Sequence, residues 1–523
     1  MDDRVSISID GKNIGARRGD NLLALAQQND IPIPSLCYHR KLTPTGACRL
    51  CIVKIKGTVG LVAACTVAVV DGLEVTAFDA ELESARRDIL DYLLSEHNES
   101  CDRSYQDAFK ALVVRYGLDE PARRRFPAIW KTLDQPIDDS SPVLVYDASK
   151  CIKCFRCIKA CGEVQGKHVL SMANRGVQSY IIAGLGVWGA SECDGCGECI
   201  QLCPTGAIVE KPNRDLLLKE KVEKRVISVC SYCGVGCQIE LVVAGKRIVR
   251  VNGVEGVKPN DGMLCVKGRF GYAYVGHKDR LTQPLIKRNG RFQPVGWGDA
   301  LDLIASRFKA IKAKYGDDAL AGYASAKATN EDNYLFQKFI RTAFGNNNVD
   351  YCTRLCHAST VTAMLRALGS GAGSNSIEDY ATADCILVTG NNMVETHPVT
   401  ATYVKRGVAA GGKLIVIDPR WTPLVKHSDV WLQPKLGTDI ALLNGLMNVI
   451  IREDWIDKAF IARRVEKGLD ALEELKVVVA DYPPDIVEAI TGVAQGKLLT
   501  AARLFARADR ALIATGMGCS QQI

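Results

Sequence analysis

The sequence predicts a chain of small α+β modules feeding a larger α/β region, and three observations carry that prediction. Sixteen of the 21 cysteines fall into four groups with metal-ligand spacing, all before residue 266. Beyond Arg280 the cysteines thin out. In their place β-like runs alternate with helical stretches, the pattern of a parallel α/β layer.

The 523 residues suffice for about three or four domains. With 47% hydrophobic and 24% charged residues, the composition is that of an ordinary globular protein. The net charge of +7 is small for this length, and ligated thiolates would reduce it further, so nothing argues for nucleic acid. No apolar run approaches the ~20 residues needed to cross a bilayer; the best, Leu61 to Val70, contains Thr66. The N-terminus starts a strand-like alternation rather than a signal peptide, so a cytoplasmic setting is expected. Disulfides are disfavoured there, and 21 cysteines then point to metal.

Residues 4–9 alternate like a strand, Asp10-Gly11 makes a hairpin turn, and residues 20–29 read as a short helix with Asp20 as N-cap. Cys37-x10-Cys48-x2-Cys51-x13-Cys65 follows, in the contexts Pro-Ser-Leu-Cys37-Tyr-His and Gly46-Ala-Cys48-Arg-Leu-Cys51. This module, residues 1–79, resembles the 2Fe–2S ferredoxin domain at the N-terminus of complex I large subunits, iron-only hydrogenases and some formate dehydrogenases. Residues 80–142 form a helical segment and connector, with apolar positions at Ile89, Tyr92, Leu93, Phe109, Leu112 and Val113, and a polar linker from Glu120 to Pro142. Relatives bind a further cluster here through His-x3-Cys-x2-Cys-x5-Cys. His97 and Cys101 have that spacing, but Ser104 stands where the next cysteine belongs. Two ligands cannot hold a cubane, so this cluster is expected to be lost and His97 and Cys101 to be relics.

The strongest signal lies in residues 143–215: Cys151-x2-Cys154-x2-Cys157-x3-Cys161, then Cys193-x2-Cys196-x2-Cys199-x3-Cys203-Pro204. This is the pattern of a two-cluster bacterial ferredoxin, in which the fourth cysteine of each run ligates the other cluster. One 4Fe–4S cluster should take Cys151, Cys154, Cys157 and Cys203, the other Cys161, Cys193, Cys196 and Cys199. Residues 223–280 hold Cys230-x2-Cys233-x3-Cys237-x27-Cys265, a spacing suited to one more cubane. A structural zinc site also takes four thiolates; the ferredoxin-like cysteines upstream favour iron. Gly234 and Gly236 let the backbone wrap round the sulfurs. One 2Fe–2S and three 4Fe–4S clusters are therefore expected.

In residues 281–523, Cys385 to Thr389 leads into Gly390, and Lys413 to Ile417 into Asp418-Pro419-Arg420. Strands ending so place polar loops at the carboxyl edge of a sheet, where such folds bind nucleotides. Together with Cys230–Lys267, Ser325–Asn333 and Thr353-Arg-Leu-Cys356-His357-Ala-Ser-Thr-Val, this region resembles the molybdopterin oxidoreductase superfamily. More narrowly, it is similar to the catalytic subunit of formate dehydrogenases that carry an N-terminal ferredoxin array.

The resemblance implies a bis-molybdopterin guanine dinucleotide cofactor with molybdenum or tungsten. It places Asn391, Asn392, Glu395, His397, Asp418, Arg420, Gly437, Thr438 and Asp439 around one guanine dinucleotide. Cys356 is the implied metal ligand, a soft thiolate matched to a metal that accepts two electrons. His357 is suited to taking the proton released as formate becomes carbon dioxide, and Lys267 matches the lysine between cluster and pterin. Cys352 and Cys385 are expected to be buried small hydrophobes. Members of the family continue beyond the point matching Ile523 into a loop carrying a substrate-orienting arginine and a further pterin domain. That part is expected from a longer polypeptide or a second chain. No flavin or nicotinamide site is evident, so the expected electron partner is a flavin/NAD-linked subunit, a hydrogenase or a ferredoxin. The alternative is a non-catalytic iron–sulfur subunit of an NADH- or hydrogenase-linked complex.

Overall fold

In a computed structural model of the chain, residues 3–98, 108–134, 136–212 and 222–521 are described. They fall into two compact units, residues 1–232 with 236–273, and residues 274–523 with 233–235.

The first unit begins with a five-stranded sheet of β1 (Arg4–Ile9), β2 (Lys12–Arg17), β3 (Ile52–Ile55), β4 (Val62–Ala63) and β5 (Glu74–Thr76), ordered β2-β1-β5-β3-β4. Asp10 and Gly11 both adopt positive φ, and the hairpin closes with Ile9 opposite Lys12, as an Asp-Gly turn demands. Val5, Ile7 and Ile9 point into the core with Leu22, Leu23 and Ala26 of the helix Leu22–Gln28. That helix is capped by Asn21, not Asp20. Asn21 Oδ1 accepts from the Ala24 N–H at 3.0 Å while its Nδ2 donates to the Cys65 carbonyl at 2.6 Å. Asp20 instead accepts from the Arg17 N–H at 2.8 Å. The long-range bond to Cys65 decides between two adjacent good caps.

Helix Ala80–Ser95 is capped by Asp79 and buries Arg86, which donates to the Ile52 and Ala77 carbonyls, each at 2.7 Å. The linker carries two short 3-10 turns, Pro121–Arg123 and Ile129–Thr132, before β6 (Ile137–Asp138). The strands β7 (Leu144–Asp147), β8 (Leu170–Ala173), β9 (Tyr180–Ala183) and β10 (Ile208–Glu210) frame the ferredoxin-like region as a β10-β7-β6 sheet and a β8–β9 hairpin. An antiparallel meander of β11 (Val222–Val229), β12 (Gln238–Ala244) and β13 (Arg247–Gly253) completes the unit, with helix Val266–Phe270 after Cys265.

The second unit opens with a hairpin, β14 (Leu285–Arg288) and β15 (Arg291–Pro294), then a two-stranded parallel pair, β16 (Gly322–Ala324) and β17 (Val349–Tyr351). Its centre is the parallel sheet of β18 (Cys385–Thr389), β19 (Lys413–Ile417), β20 (Val430–Leu432) and β21 (Ala511–Thr515), ordered β20-β19-β18-β21. Alternate residues serve opposite cores. Cys385, Leu387, Ile415 and Ile417 meet Leu442, Leu446, Val487 and Leu498, whereas Ile386, Val388, Leu414 and Val416 meet Met393, Ala401 and Val404. Helices thus cover both faces, as a parallel sheet requires. No helix among the described residues is long and apolar enough to cross a membrane.

Candidate functional site

Two constellations carry the chemistry, one in each unit. In the first, Cys151, Cys154, Cys157 and Cys203 line one pocket with Tyr146, Ile152, Ile181 and Pro204. The crossed set expected from the spacing is therefore brought together. The thiols of Cys161, Cys193, Cys196 and Cys199 likewise lie within electrostatic reach of one another. The backbone repeats the duplication: Lys153 and Phe155 in the first run, and Gly195 and Gly197 at the equivalent places in the second, all have positive φ. These turns aim amides at sulfur, with the Lys153 N–H donating to Cys151 Sγ at 3.4 Å and the Val169 N–H to Cys161 Sγ at 3.3 Å.

Burial pushes the Cys151 thiol up to about 11, Cys154 to about 12 and Cys196 to about 11. Packing so many sulfurs into apolar walls favours the protonated form unless a cation binds them as thiolates. The donor set fits iron–sulfur clusters. In the N-terminal module Cys37 hydrogen-bonds with Cys48 and Cys65, and Cys51 with Cys65, so these four sulfurs also converge. In the meander domain the Cys230 N–H donates to the Cys237 carbonyl at 2.9 Å. Gly268 lies against this site, where a Cβ would make an ordinary 3.4 Å contact with Cys230 Sγ. Lys267, beside it, is half-buried on helix Val266–Phe270.

The modules share their cores. Cys37 and Cys48 pack in one apolar cluster with Ile152 and Cys154. Arg156, between Cys154 and Cys157, donates from Nη2 to the carbonyl of Tyr38, next to Cys37. His97 is buried, its Nδ1 lying 3.0 Å from the Lys150 carbonyl oxygen and its ring packed edge-on to Phe109. Cys101 and Ser104 lie outside the described residues, and with them the expectation of a lost cluster.

In the second unit the strand order reverses between β18 and β21, which opens a crevice at their carboxyl ends. There the Gly516 N–H donates to the Thr389 carbonyl at 3.1 Å and the Gly518 N–H to that of Gly390 at 3.0 Å. A Cβ on Gly390 would meet the Cys519 nitrogen at 2.7 Å, and one on Gly516 the Gly390 oxygen at 2.4 Å, so the approach is backbone to backbone. Cys519 Sγ lies 3.2 Å from Thr389 Oγ1. Burial and the nearby Asp439 and Asp418 carboxylates raise its pKa, against the hydrogen bond with Thr389. Asp439 is itself raised by burial and by Asp418. Asp418, Asp439 and Cys519 therefore lie close together at the carboxyl edge of the sheet, where Asn391 Nδ2 donates to the Thr515 carbonyl at 3.2 Å.

Asn392 Oδ1 is buried and has no hydrogen-bond partner among the described residues. A buried acceptor left open suits a ligand that presents an N–H donor. Part of the expected set does turn chemistry: Asp418 accepts from the Arg420 N–H at 2.8 Å, and Thr438 Oγ1 donates to the Lys435 carbonyl at 2.7 Å. Arg420, Gly437 and Glu395 are exposed; Thr438 and His397 are half-buried, with His397 Nδ1 2.9 Å from Thr396 Oγ1. The Gly516–Cys519 segment was not among the sequence-derived candidates, although Gly-x-Gly directly after a strand was the available signal.

Cys356 ends the one-turn helix Thr353–Cys356, and His357 is the break before helix Ala358–Leu368. Both are half-buried. The one-turn helix is tied to the chain after β21, since Gln521 Nε2 donates to the Leu355 carbonyl at 3.0 Å. Cys385 is buried as expected, but Cys352 is exposed because it only begins that single turn, whose surroundings hold little core.

The chain matches four family profiles in succession. Residues 2–79 match a 2Fe-2S iron-sulfur cluster binding domain, and 141–209 the ferredoxin-like domain of NADH-quinone oxidoreductase subunit 3. Residues 223–277 match the molybdopterin oxidoreductase Fe4S4 domain, and 280–522 molybdopterin oxidoreductase itself. Two proteins of Staphylococcus aureus, strains Mu50 and MSSA476, each named "Putative formate dehydrogenase", are 30% identical over 567 aligned positions. Each alignment covers 100% of this chain and 56% of the relative, so the chain spans about half the length of the curated relatives it matches. Among solved structures, acetylene hydratase from Pelobacter acetylenicus superposes with a TM-score of 0.50 at 28% identity, over 57% of this chain and 41% of that one. Two molybdopterin oxidoreductase domains, over residues 223–277 and 280–522, thus follow 2Fe–2S and ferredoxin-like iron–sulfur domains along the chain.

Proposed function

We propose that the protein is a formate dehydrogenase subunit that oxidises formate to carbon dioxide, or runs the reverse, and exchanges the electrons with a partner through its iron–sulfur clusters. The observation that carries this is the Cys356-His357 pair, tied through Leu355 and Gln521 to the chain after β21. A molybdenum or tungsten centre on a bis-molybdopterin guanine dinucleotide, when bound, supplies two-electron redox chemistry. Cys356 offers that metal a soft thiolate. His357 receives the proton as formate becomes carbon dioxide, a proton and two electrons. Asp418, Asp439 and the open Asn392 oxygen would hold the guanine end of that cofactor by accepting from its N–H groups, with Asn391, Glu395, His397, Arg420, Gly437 and Thr438 on the surrounding loops. Lys267 stands beside Gly268, which packs on Cys230, and would serve electron passage at that cluster. Arg156, reaching from between two cluster ligands to Tyr38 beside Cys37, supports direct passage between the first ferredoxin cluster and the 2Fe–2S site.

The partner is an electron-transfer subunit of the flavin/NAD-linked, hydrogenase or ferredoxin type, and the setting is cytoplasmic. The test is formate-dependent dye reduction by the purified native protein, with iron, molybdenum and tungsten measured together. About 14 iron atoms per chain are expected from one two-iron and three four-iron sites. Full iron with neither heavier metal and no formate oxidation would overturn the enzymatic reading and leave an electron-carrying subunit. About 18 iron atoms would restore the cluster at His97.

A further inference from the structure

Three iron–sulfur modules meet at a buried group of charges that none of the roles above uses. Glu198 sits between Cys196 and Cys199 and is 1% exposed. Lys41, from the 2Fe–2S module, reaches it with Nζ 2.8 Å from Oε1 and also lies 3.0 Å from Glu255 of the meander domain. Arg269, from the helix after Cys265, is 2% exposed and places Nη2 3.6 Å from Glu198 Oε2. Its Nε donates to the carbonyl of Cys196 at 2.8 Å and its Nη1 to Gln201 Oε1 at 2.9 Å. Gly197 is what admits it: a Cβ there would sit 2.1 Å from Arg269 Cδ.

We propose that Lys41, Glu198 and Arg269 are positioning residues that set the reduction potential of the cluster held by Cys161, Cys193, Cys196 and Cys199, so that this potential depends on both flanking modules being docked. The proposal rests on those four cysteines holding a cluster. The two buried cations face the buried Glu198 and the half-buried Glu255, so the charge beside the cluster is set by groups from three modules, and net charge and hydrogen bonding are the levers by which a protein tunes such a centre. An added electron is stabilised by Lys41 and Arg269 and opposed by Glu198. A buried ion pair of this kind adds little net stability, because desolvation offsets attraction, so docking alone is a weak reason for three buried charges at one junction.

The test is an EPR-monitored redox titration of the full chain, with iron counted on the same samples. The signal is assigned as the one abolished in Cys193→Ser. Lys41→Met should shift its midpoint down and Glu198→Gln should shift it up, each at wild-type iron content. Arg269→Leu should shift it down, and Arg269→Lys should recover most of the loss. Lys41 ligates nothing, so Lys41→Met decides the matter if either of the other two variants fails to accumulate. Unchanged midpoints, shifts of the same sign in Lys41→Met and Glu198→Gln, or loss of about four irons in Lys41→Met would overturn the proposal and leave a structural junction. A wild-type protein with no signal lost on Cys193→Ser would instead overturn the underlying cluster assignment.

Discussion

Thr360 Oγ1 lies 2.7 Å from Ser520 Oγ, which joins the helix after Cys356-His357 to the turn after β21. Ser359 adds a bond to the Ser520 carbonyl. The pair of residues proposed to do the chemistry is thus held by a segment that also forms the wall of the cleft.

Thr360→Val removes that strap without changing side-chain size. A net hydrogen bond is worth about 1 kcal/mol, so formate-dependent turnover should fall about fivefold while iron content stays constant. Wild-type turnover in this variant would show that the strap does not position Cys356.

Cys356→Ala should abolish formate oxidation by about three orders of magnitude, equivalent to about 4 kcal/mol, with iron unchanged. Cys356→Ser should retain more, since an oxygen donor remains although a harder one. His357→Gln should cost roughly a hundredfold or more and flatten the pH–rate profile near neutrality. An unaltered profile would remove His357 as the proton acceptor.

Gly445 faces Val487 across the helix Asp439–Arg452, and a Cβ there would lie 2.5 Å from Val487 Cγ2. Gly445→Ala should destabilise the second unit by about 1–3 kcal/mol through overpacking. Adding Val487→Ala should recover part of the loss in urea melts. Additive destabilisation by the two changes would contradict the contact.

Asp261 gives a pH dependence. Burial pushes its pKa up, but the Arg40 guanidinium and the Gly256 N–H outweigh this and hold it below the usual carboxylate range. A carboxyl whose folded pKa is depressed stabilises above its unfolded value, near pH 4, and the contribution is lost as pH falls through the lower folded value. Thermal melts of Asp261→Asn should be less stable than wild type at pH 6 and converge with it as pH drops below about 4. Parallel curves would show that the pair contributes nothing.

Periodic and spaced features were legible in the sequence. The Asp10-Gly11 hairpin, the all-buried strand Cys385–Thr389 and the crossed ferredoxin cysteines are local patterns, each read within a few tens of residues. What escaped depends on distant partners. Asn21 outcompetes Asp20 as a cap through a bond to Cys65. Lys41 finds Glu198 157 positions away, and nothing in either segment announces the other. Gly516 and Gly518 gain their role only because β21 returns to pair with β18, a connection made through the fold. Exposed Cys352 is the opposite case, where a residue type usually buried sits over a region with little core to receive it.

That thin region is the short parallel pair β16–β17. Three residues per strand, a buried core of Leu320, Ile340 and Phe344, and a Tyr323 that is 86% exposed make a sheet that has only two strands among the described residues. Amide protons there should exchange with solvent long before those of β18 and β19.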